Sequence, residues 1–294
     1  MQSIDKVTQF YPEADELRKY FDQQFENPLM AHENRFVWDY WNVPDQYCTL
    51  RTPAYHYFPE DMYNNFHDYL VQWGQQNLGC FDISPPWLSC YVEGCFQNWH
   101  SDSPHGPWAF VYSLTPWGER SFTGGETLIF RPETLNYWSH YDPENGLEKP
   151  QLMQSVAPEF NQLTLFDPRL PHRVEEVRGV RDLRHARLVI HGWFTEPRPF
   201  ISENLDEDEM TDKLNELMEQ MLPDLQEWPH LTGVISLRVD LKPYKVSVLM
   251  NHLTSTDRSD QRPIEDLINI IESHIKNIEF PKVENEYFIL PIIY

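Results

Sequence analysis

A mainly β fold, a sandwich or jelly roll entered by helices and followed by a small α+β module, is what this sequence predicts. Two observations carry the β reading. From Trp87 to Phe194 the chain breaks into short apolar runs separated by Gly-Pro, Gly-Gly, Asp-Pro and Leu-Pro steps, the punctuation of many short strands. Aromatic residues make up 14% of the chain and prolines number 24, which favours pleated strands and irregular turns over a helical bundle. The third observation is a change of period after residue 200, where alternation and helical spacing follow each other in β-β-α-β order.

In chain order, Leu17, Phe21 and Phe25 recur at four-residue spacing, so a helix is expected from Glu13 to Glu26, ended by Pro28. The aromatic segment Phe36 to Trp41 is expected to pack helices onto a sheet, with a substrate-facing Trp38 or Trp41 as the second reading. A second helix spans Pro59 to Trp73, with Met62, Phe66, Leu70 and Trp73 on one face. Strands follow at Leu88–Gly94, Ala109–Leu114, Glu126–Phe130, Gln162–Phe166, His172–Val177 and Arg187–Phe194. Asn136 to Pro150 is polar and without period, a candidate lid or substrate loop. Glu196 to Pro199 and the acidic run Asp206 to Glu209 read as a linker into a helix at Met210–Met221. Strands at Gly233–Leu241 and Tyr244–Met250, a helix through Ile264, Leu267, Ile271 and Ile275, and a strand at Tyr287–Tyr294 complete the module. The domains expected are 1–200 and 201–294.

The 294 residues are 40% hydrophobic, enough for a sizeable core and against disorder. A net charge of −23 argues against nucleic acid, whose phosphates would be repelled. That charge serves solubility first and the attraction of basic peptides second. Cys48, Cys80, Cys90 and Cys95 show no zinc-knuckle spacing, so buried reduced thiols are expected, as in the cytoplasm. No apolar run approaches membrane-spanning length, and a soluble, cytoplasmic protein without membrane partners is the expectation.

The chemistry gathers around His100-Ser101-Asp102 and His172. Two imidazoles and one carboxylate form the ligand set of a non-heme ferrous site with open positions. His100 and Asp102, two residues apart, share a face of an extended segment; His172 comes from another strand. A triplet of this kind arises often by chance, and most of the 12 histidines are expected to be structural or solvated. His105 is the competing ligand, ranked second as a loop residue.

Residues 87 to 194 resemble the prolyl-4-hydroxylase-like branch of the 2-oxoglutarate/Fe(II)-dependent oxygenases. The matching elements are Tyr91, His100-Ser101-Asp102, Gly124-Gly125-Glu126, Asn161 with Leu163 to Asp167, His172-Arg173-Val174, and Arg187 to Phe194. The resemblance implies a double-stranded β-helix supported by the N-terminal helices, with Fe(II) held by His100, Asp102 and His172. It implies a dioxygenase that couples decarboxylation of 2-oxoglutarate by O2 to hydroxylation of an aliphatic C–H, with ascorbate as an accessory reductant. In related halogenases a small residue replaces the carboxylate ligand, so Asp102 favours hydroxylation. The far carboxylate of 2-oxoglutarate calls for a guanidinium, and by the motif's strand this is Arg187, with Arg181 as the alternative. Alternation then sets Val189, His191 and Trp193 on the face of Arg187. His191 is expected either to orient water or cosubstrate, or to be a buried histidine satisfied by a carbonyl. Tyr91 offers a phenol to the cosubstrate, and Ser113 stands where relatives place a tyrosine.

Residues 233 to 294 resemble the C-terminal domain of TonB-type energy-transducing proteins, through Gly233-Val234, Phe280-Pro281 and Leu290-Pro291-Ile292. No transport role follows; a binding or homodimerisation module, or a cap on the catalytic part, is expected. The functions weighed are hydroxylation of a side chain, proline among them, in a peptide or protein; hydroxylation of a free amino acid or natural-product intermediate; and a non-catalytic binding or sensing protein on the same fold.

Overall fold

The computed structural model describes residues 4–27, 29–30, 33–102, 105–131, 134, 144, 152–257, 259–260 and 262–294. The loop Asn136 to Pro150 thus lies, apart from Glu144, outside the described residues. Two compact units are present: the chain up to Val71 with Ile83–Thr195, and Gln72–Asp82 with Glu196–Tyr294.

The first unit begins with β1 (Ile4–Thr8) and α1 (Ala14–Phe25). Ala14, Leu17, Phe21 and Phe25 form the buried stripe of α1, as three- and four-residue spacing requires. Phe21 meets Phe25 at 5.0 Å and Tyr57 at 5.8 Å, and Trp38 lies edge-on to Phe21 and Tyr57. Trp38 is therefore a packing residue. A hairpin, β2 (Asp39–Val43) and β3 (Tyr47–Pro53), follows, then the single turn α2 (Ala54–Tyr57). The long helix α3 (Glu60–Leu78) buries Phe66 and Leu70 and contains the division between the units, which continue through β4 (Cys80–Ile83).

Next come β5 (Trp87–Tyr91), β6 (Phe96–His100), β7 (Trp108–Ser113) and β8 (Thr127–Phe130). They are joined by β9 (Met153–Val156), β10 (Gln162–Phe166), β11 (His172–Val174) and β12 (Arg187–Pro197). Ten of these strands follow one hydrogen-bonded path in the order β1-β10-β7-β12-β5-β3-β6-β11-β8-β9, with β2 added to β3. All the pairings named for them are antiparallel. This is a large curled antiparallel sheet of jelly-roll type, and the mainly β expectation holds. Strands β1, β2, β3, β4, β6 and β9 were not anticipated. Lys6, Arg51 and the polar Gln97-Asn98 interrupt apolar alternation, and their pairing comes from distant neighbours rather than local pattern.

Asn161 ties α1's entry to the sheet. It adopts a positive φ of 55°, a conformation asparagine tolerates. Its Oδ1 accepts from the Tyr11 amide at 2.8 Å and from the Tyr112 hydroxyl at 3.1 Å, while its Nδ2 donates to the Tyr11 carbonyl at 3.0 Å.

The second unit carries β13 (Phe200–Ile201), α4 (Glu207–Gln226), β14 (Leu231–Thr232), β15 (Val234–Leu241) and β16 (Tyr244–Asn251). After them come β17 (Thr254–Ser255), α5 (Ile264–Asn277) and β18 (Tyr287–Ile293). Its sheet runs β13-β18-β15-β16. The acidic run read as linker is instead the start of α4. Asp206 caps it by accepting from the Glu209 amide at 2.8 Å, and Glu207, Asp208 and Glu209 fill the first turn, where carboxylates complement the helix dipole. Met210, Leu214, Leu217 and Met221 of α4 and Leu267, Ile271 and Ile275 of α5 close on Ile235, Leu237, Phe288 and Leu290. All four cysteines of the chain are buried free thiols, and no helix among the described residues is long and apolar enough to cross a membrane.

Candidate active site

Two strand ends converge at one point of the first unit. β6 ends at His100, and β11 begins at His172 directly opposite it in register. Asp102 follows two residues after His100, where its amide donates to the Pro168 carbonyl at 2.8 Å. The candidate ligand atoms of His100, Asp102 and His172 all lie within 4.8 Å of one another.

The imidazoles are aimed by backbone. His100 Nδ1 donates to the Asn98 carbonyl at 2.8 Å, and His172 Nδ1 to the Leu170 carbonyl at 2.9 Å. A carbonyl can only accept, so each Nδ1 carries a proton and each Nε2 is left to face Asp102. Both Nε2 atoms lie 3.3 Å from Asp102 carboxylate oxygens. Burial opposes a charge on Asp102, yet hydrogen bonds from His100 and His172 hold its carboxyl well below the usual carboxylate range. Trp193 Nε1 donates to Asp102 Oδ2 at 3.3 Å and the Gln97 side-chain amide reaches His100 Nε2 at 2.9 Å. Two imidazoles and a carboxylate facing one cavity fit a divalent iron with open positions. His105 stays outside the cluster; its ring stacks on Trp193 at 4.5 Å.

The cluster opens into a cavity of about 370 Å³. From β12, Arg187, Val189, His191 and Trp193 all line it, the alternation expected of a strand with one face inward. Arg187 is 1% exposed. Its Nη2 donates to Thr127 Oγ1 at 3.3 Å and its guanidinium lies 4.5 Å from the centre of the Tyr91 ring. Nε and Nη1 of Arg187 have no hydrogen-bond partner. A buried guanidinium with two idle donors is costly unless a ligand completes it, and a carboxylate of 2-oxoglutarate matches that fork. Arg181, the alternative, is exposed and does not line the cavity.

Gly124 and Gly125 explain themselves here. Both have positive φ, 75° and 85°. A Cβ on Gly124 would meet the Glu176 carbonyl oxygen at 1.9 Å, and one on Gly125 would press on Arg187 Cδ at 3.3 Å.

Tyr91 lines the cavity beside Arg187 and is buried, which pushes its phenol up from the ordinary value against the pull of the Arg187 charge. His191 Nε2 pairs with Ser89 Oγ at 2.8 Å. Burial, reinforced by the Arg187 charge, lowers its pKa to about 4, so the ring is neutral at physiological pH and its partner is a hydroxyl rather than a carbonyl. Ser113 is spent on structure, donating to the Pro158 carbonyl at 2.7 Å; the hydroxyl next to Arg187 belongs to Thr127.

Residues 86–195 match the family model described as the 2OG-Fe(II) oxygenase superfamily. They form a 2OG-Fe(II) oxygenase domain. The oxygenase domain uses Fe(II), 2-oxoglutarate and O2. No curated protein matches the chain in sequence. Among solved structures, the chain is similar to a prolyl-4-hydroxylase from Pseudomonas putida at 20% identity and a TM-score of 0.44, covering 67% of this chain and 94% of that one. It is also similar to a prolyl hydroxylase from Trichoplax adhaerens in complex with a hypoxia inducible factor peptide fragment, at 15% identity, 66% and 83% coverage and a TM-score of 0.42. A third is a viral collagen prolyl hydroxylase from Paramecium Bursaria Chlorella virus-1 bound to 2OG, at 14% identity, 65% and 95% coverage and a TM-score of 0.40.

Sequence reasoning missed part of the oxygenase domain's cavity. Trp41, Arg51, Trp87, Gln97 and Thr127 all line it. The first reading, packing, holds for Trp38, while for Trp41 the second reading, a residue facing the cavity, is the one that holds. The signal for it was the Pro44-Asp45 turn between two β-prone runs, which reads as a hairpin and brings Asp39 opposite Arg51.

Proposed function

We propose that this oxygenase hydroxylates an aliphatic C–H bond on a side chain of a peptide or protein, proline being the leading candidate. The observation that carries the reading is the ligand cluster of two histidines and Asp102 in one cavity with an incompletely bonded Arg187. Iron, 2-oxoglutarate and dioxygen supply the oxidant, the keto acid leaving as succinate and CO2. This chain's residues do the positioning. His100, Asp102 and His172 would hold the iron, and Asp102, by filling its own ligand position, leaves no room there for a halide. Arg187, with Thr127 and Tyr91 beside it, would clamp the far carboxylate of the cosubstrate. Neutral His191, held by Ser89, adds no charge next to Arg187, and Val189 keeps that wall apolar. Trp41 and Trp87 line the cavity, and aromatic-lined grooves are the usual docking surface for proline segments, which supports proline.

The test is direct. With Fe(II) and 2-oxoglutarate the protein is expected to form succinate and to add the mass of one oxygen atom to prolyl peptides, while His100→Ala abolishes both. Succinate formation that persists in His100→Ala overturns the site, and oxygen found only on free amino acids overturns the peptide substrate.

A further inference from the structure

Arg51 is the second guanidinium of the cavity, and the iron and cosubstrate chemistry leaves it unused. It lies on β3 between two strands that place indoles beside it. Across β2 it faces Asp39, with Trp41 diagonal to it; across β5 it faces Ser89, with Trp87 diagonal. Diagonal neighbours are within reach of large rings. The guanidinium carbon accordingly lies 3.1 Å from the centre of the Trp41 ring and 4.3 Å from that of Trp87. Contact with both indoles restrains the guanidinium, which binds a ligand through its nitrogen donors.

Those donors are poorly satisfied. Arg51 Nε is buried without a hydrogen-bond partner. The nearest carboxylate, Asp39, stands 3.7 Å away with a side chain 61% exposed, against 17% for Arg51. An ion pair of that length with one partner in water contributes little. Burial lowers the pKa of Arg51 from its ordinary value, and Asp39 offsets only part of that cost. His191 feels the charges of Arg187, Asp102, Arg51 and His100 together, so Arg51 sits within electrostatic reach of the reacting centre. Arg187 completes itself with the cosubstrate; nothing yet described completes Arg51.

We propose that Arg51, held between Trp41 and Trp87, binds a carboxylate of the substrate and so sets the oxygenase's preference for anionic molecules. The proposal rests on the hydroxylase reading and narrows its substrate class to molecules with a carboxylate near the oxidised carbon. A planar carboxylate matches the fork of a stacked guanidinium. On a protein of net charge −23, the guanidinium of Arg51 in the cavity favours entry of an anion there. The carboxylate comes from the α-carboxyl of a C-terminal residue, or from an acidic side chain next to the target; both present the same group to Arg51.

The experiment is a titration of the full-length protein loaded with Fe(II) and 2-oxoglutarate under anaerobic conditions, so that Arg187 is already occupied. One probe pair is N-acetylproline and its methylamide. The other is N-acetyl-Pro-Glu methylamide and the matching Pro-Gln compound. In at least one pair the carboxylate member is expected to bind about tenfold to a hundredfold more tightly; the pair that shows it identifies the source. Arg51→Gln removes that difference, and Arg51→Lys, which keeps the charge without the fork, restores part of it. Retained 2-oxoglutarate affinity, which depends on Arg187, reports that the variants are folded. As a second arm, Asp39→Asn takes away the competing carboxylate and raises affinity for the carboxylate probe up to about fivefold. Equal binding within both pairs, a preference that survives Arg51→Gln, or anything but a rise in Asp39→Asn overturns the proposal. Failure of the hydroxylase reading looks different: the preference vanishes in Arg51→Gln, yet no probe or peptide ever gains oxygen.

Discussion

The oxygenase domain and the C-terminal unit bury their polar groups in opposite ways. In the C-terminal unit, α4 and α5 close on apolar side chains, and the buried carboxylate Glu286 accepts from Asn204 at 2.6 Å. Among the described residues, the buried side-chain atoms left without a partner in that unit are two neutral hydroxyls, Ser236 Oγ and Tyr294 OH. In the oxygenase cavity the unpartnered atoms include charged donors, Nε and Nη1 of Arg187 and Nε of Arg51. Leaving a charged donor idle costs far more than leaving a hydroxyl. At Arg187 and Arg51 that cost falls where a ligand can remove it; the second unit spends its interior on cohesion.

Breaking the comparison at its most charged point has the largest effect. Arg187→Gln is expected to weaken 2-oxoglutarate binding by about a hundredfold or more, since one partner of a buried, hydrogen-bonded charge pair is lost; calorimetric titration measures it. The apolar side is probed by Ile271→Ala, at a residue 0% exposed. The expected loss is about 2–5 kcal/mol of folding stability, read by chemical denaturation, with 2-oxoglutarate affinity unchanged. A drop in that affinity without loss of stability would contradict the division of labour.

A smaller effect separates the two interiors by pH. His191 has a folded pKa of about 4 against about 6.5 for a free histidine. Between these values the unfolded chain binds a proton that the folded chain refuses, so stability falls as pH falls from about 6.5 to about 4, by up to about 3 kcal/mol. Denaturation of the wild type and of His191→Gln across this window is expected to show the steeper decline in the wild type. Parallel curves would show that His191 titrates normally.

Much of the cavity was legible because its residues lie on a few short segments with strict spacing. His100 and Asp102 are two apart, His172 opens its own strand, and β12 displays Arg187, Val189, His191 and Trp193 by simple alternation. The mouth was not legible for the opposite reason. Arg51 reaches the cavity only because β3 lies between β5 and β6, a pairing between strands dozens of residues apart that no local pattern announces. Thr127 looked like any β-branched strand residue until β8 and β12 placed its hydroxyl beside Arg187. At Asp206 to Glu209 the reverse error occurred: a charged run suggested an unstructured link, but charge at a helix start is stabilising.

The two Nδ1–carbonyl bonds carry a consequence for reloading the metal. Asn98 and Leu170 hold the His100 and His172 rings in place, so the aim of the donor atoms is set by the chain's own backbone. Chelation of iron is therefore expected to leave both rings aimed, so that re-adding Fe(II) alone restores succinate formation to its level before chelation.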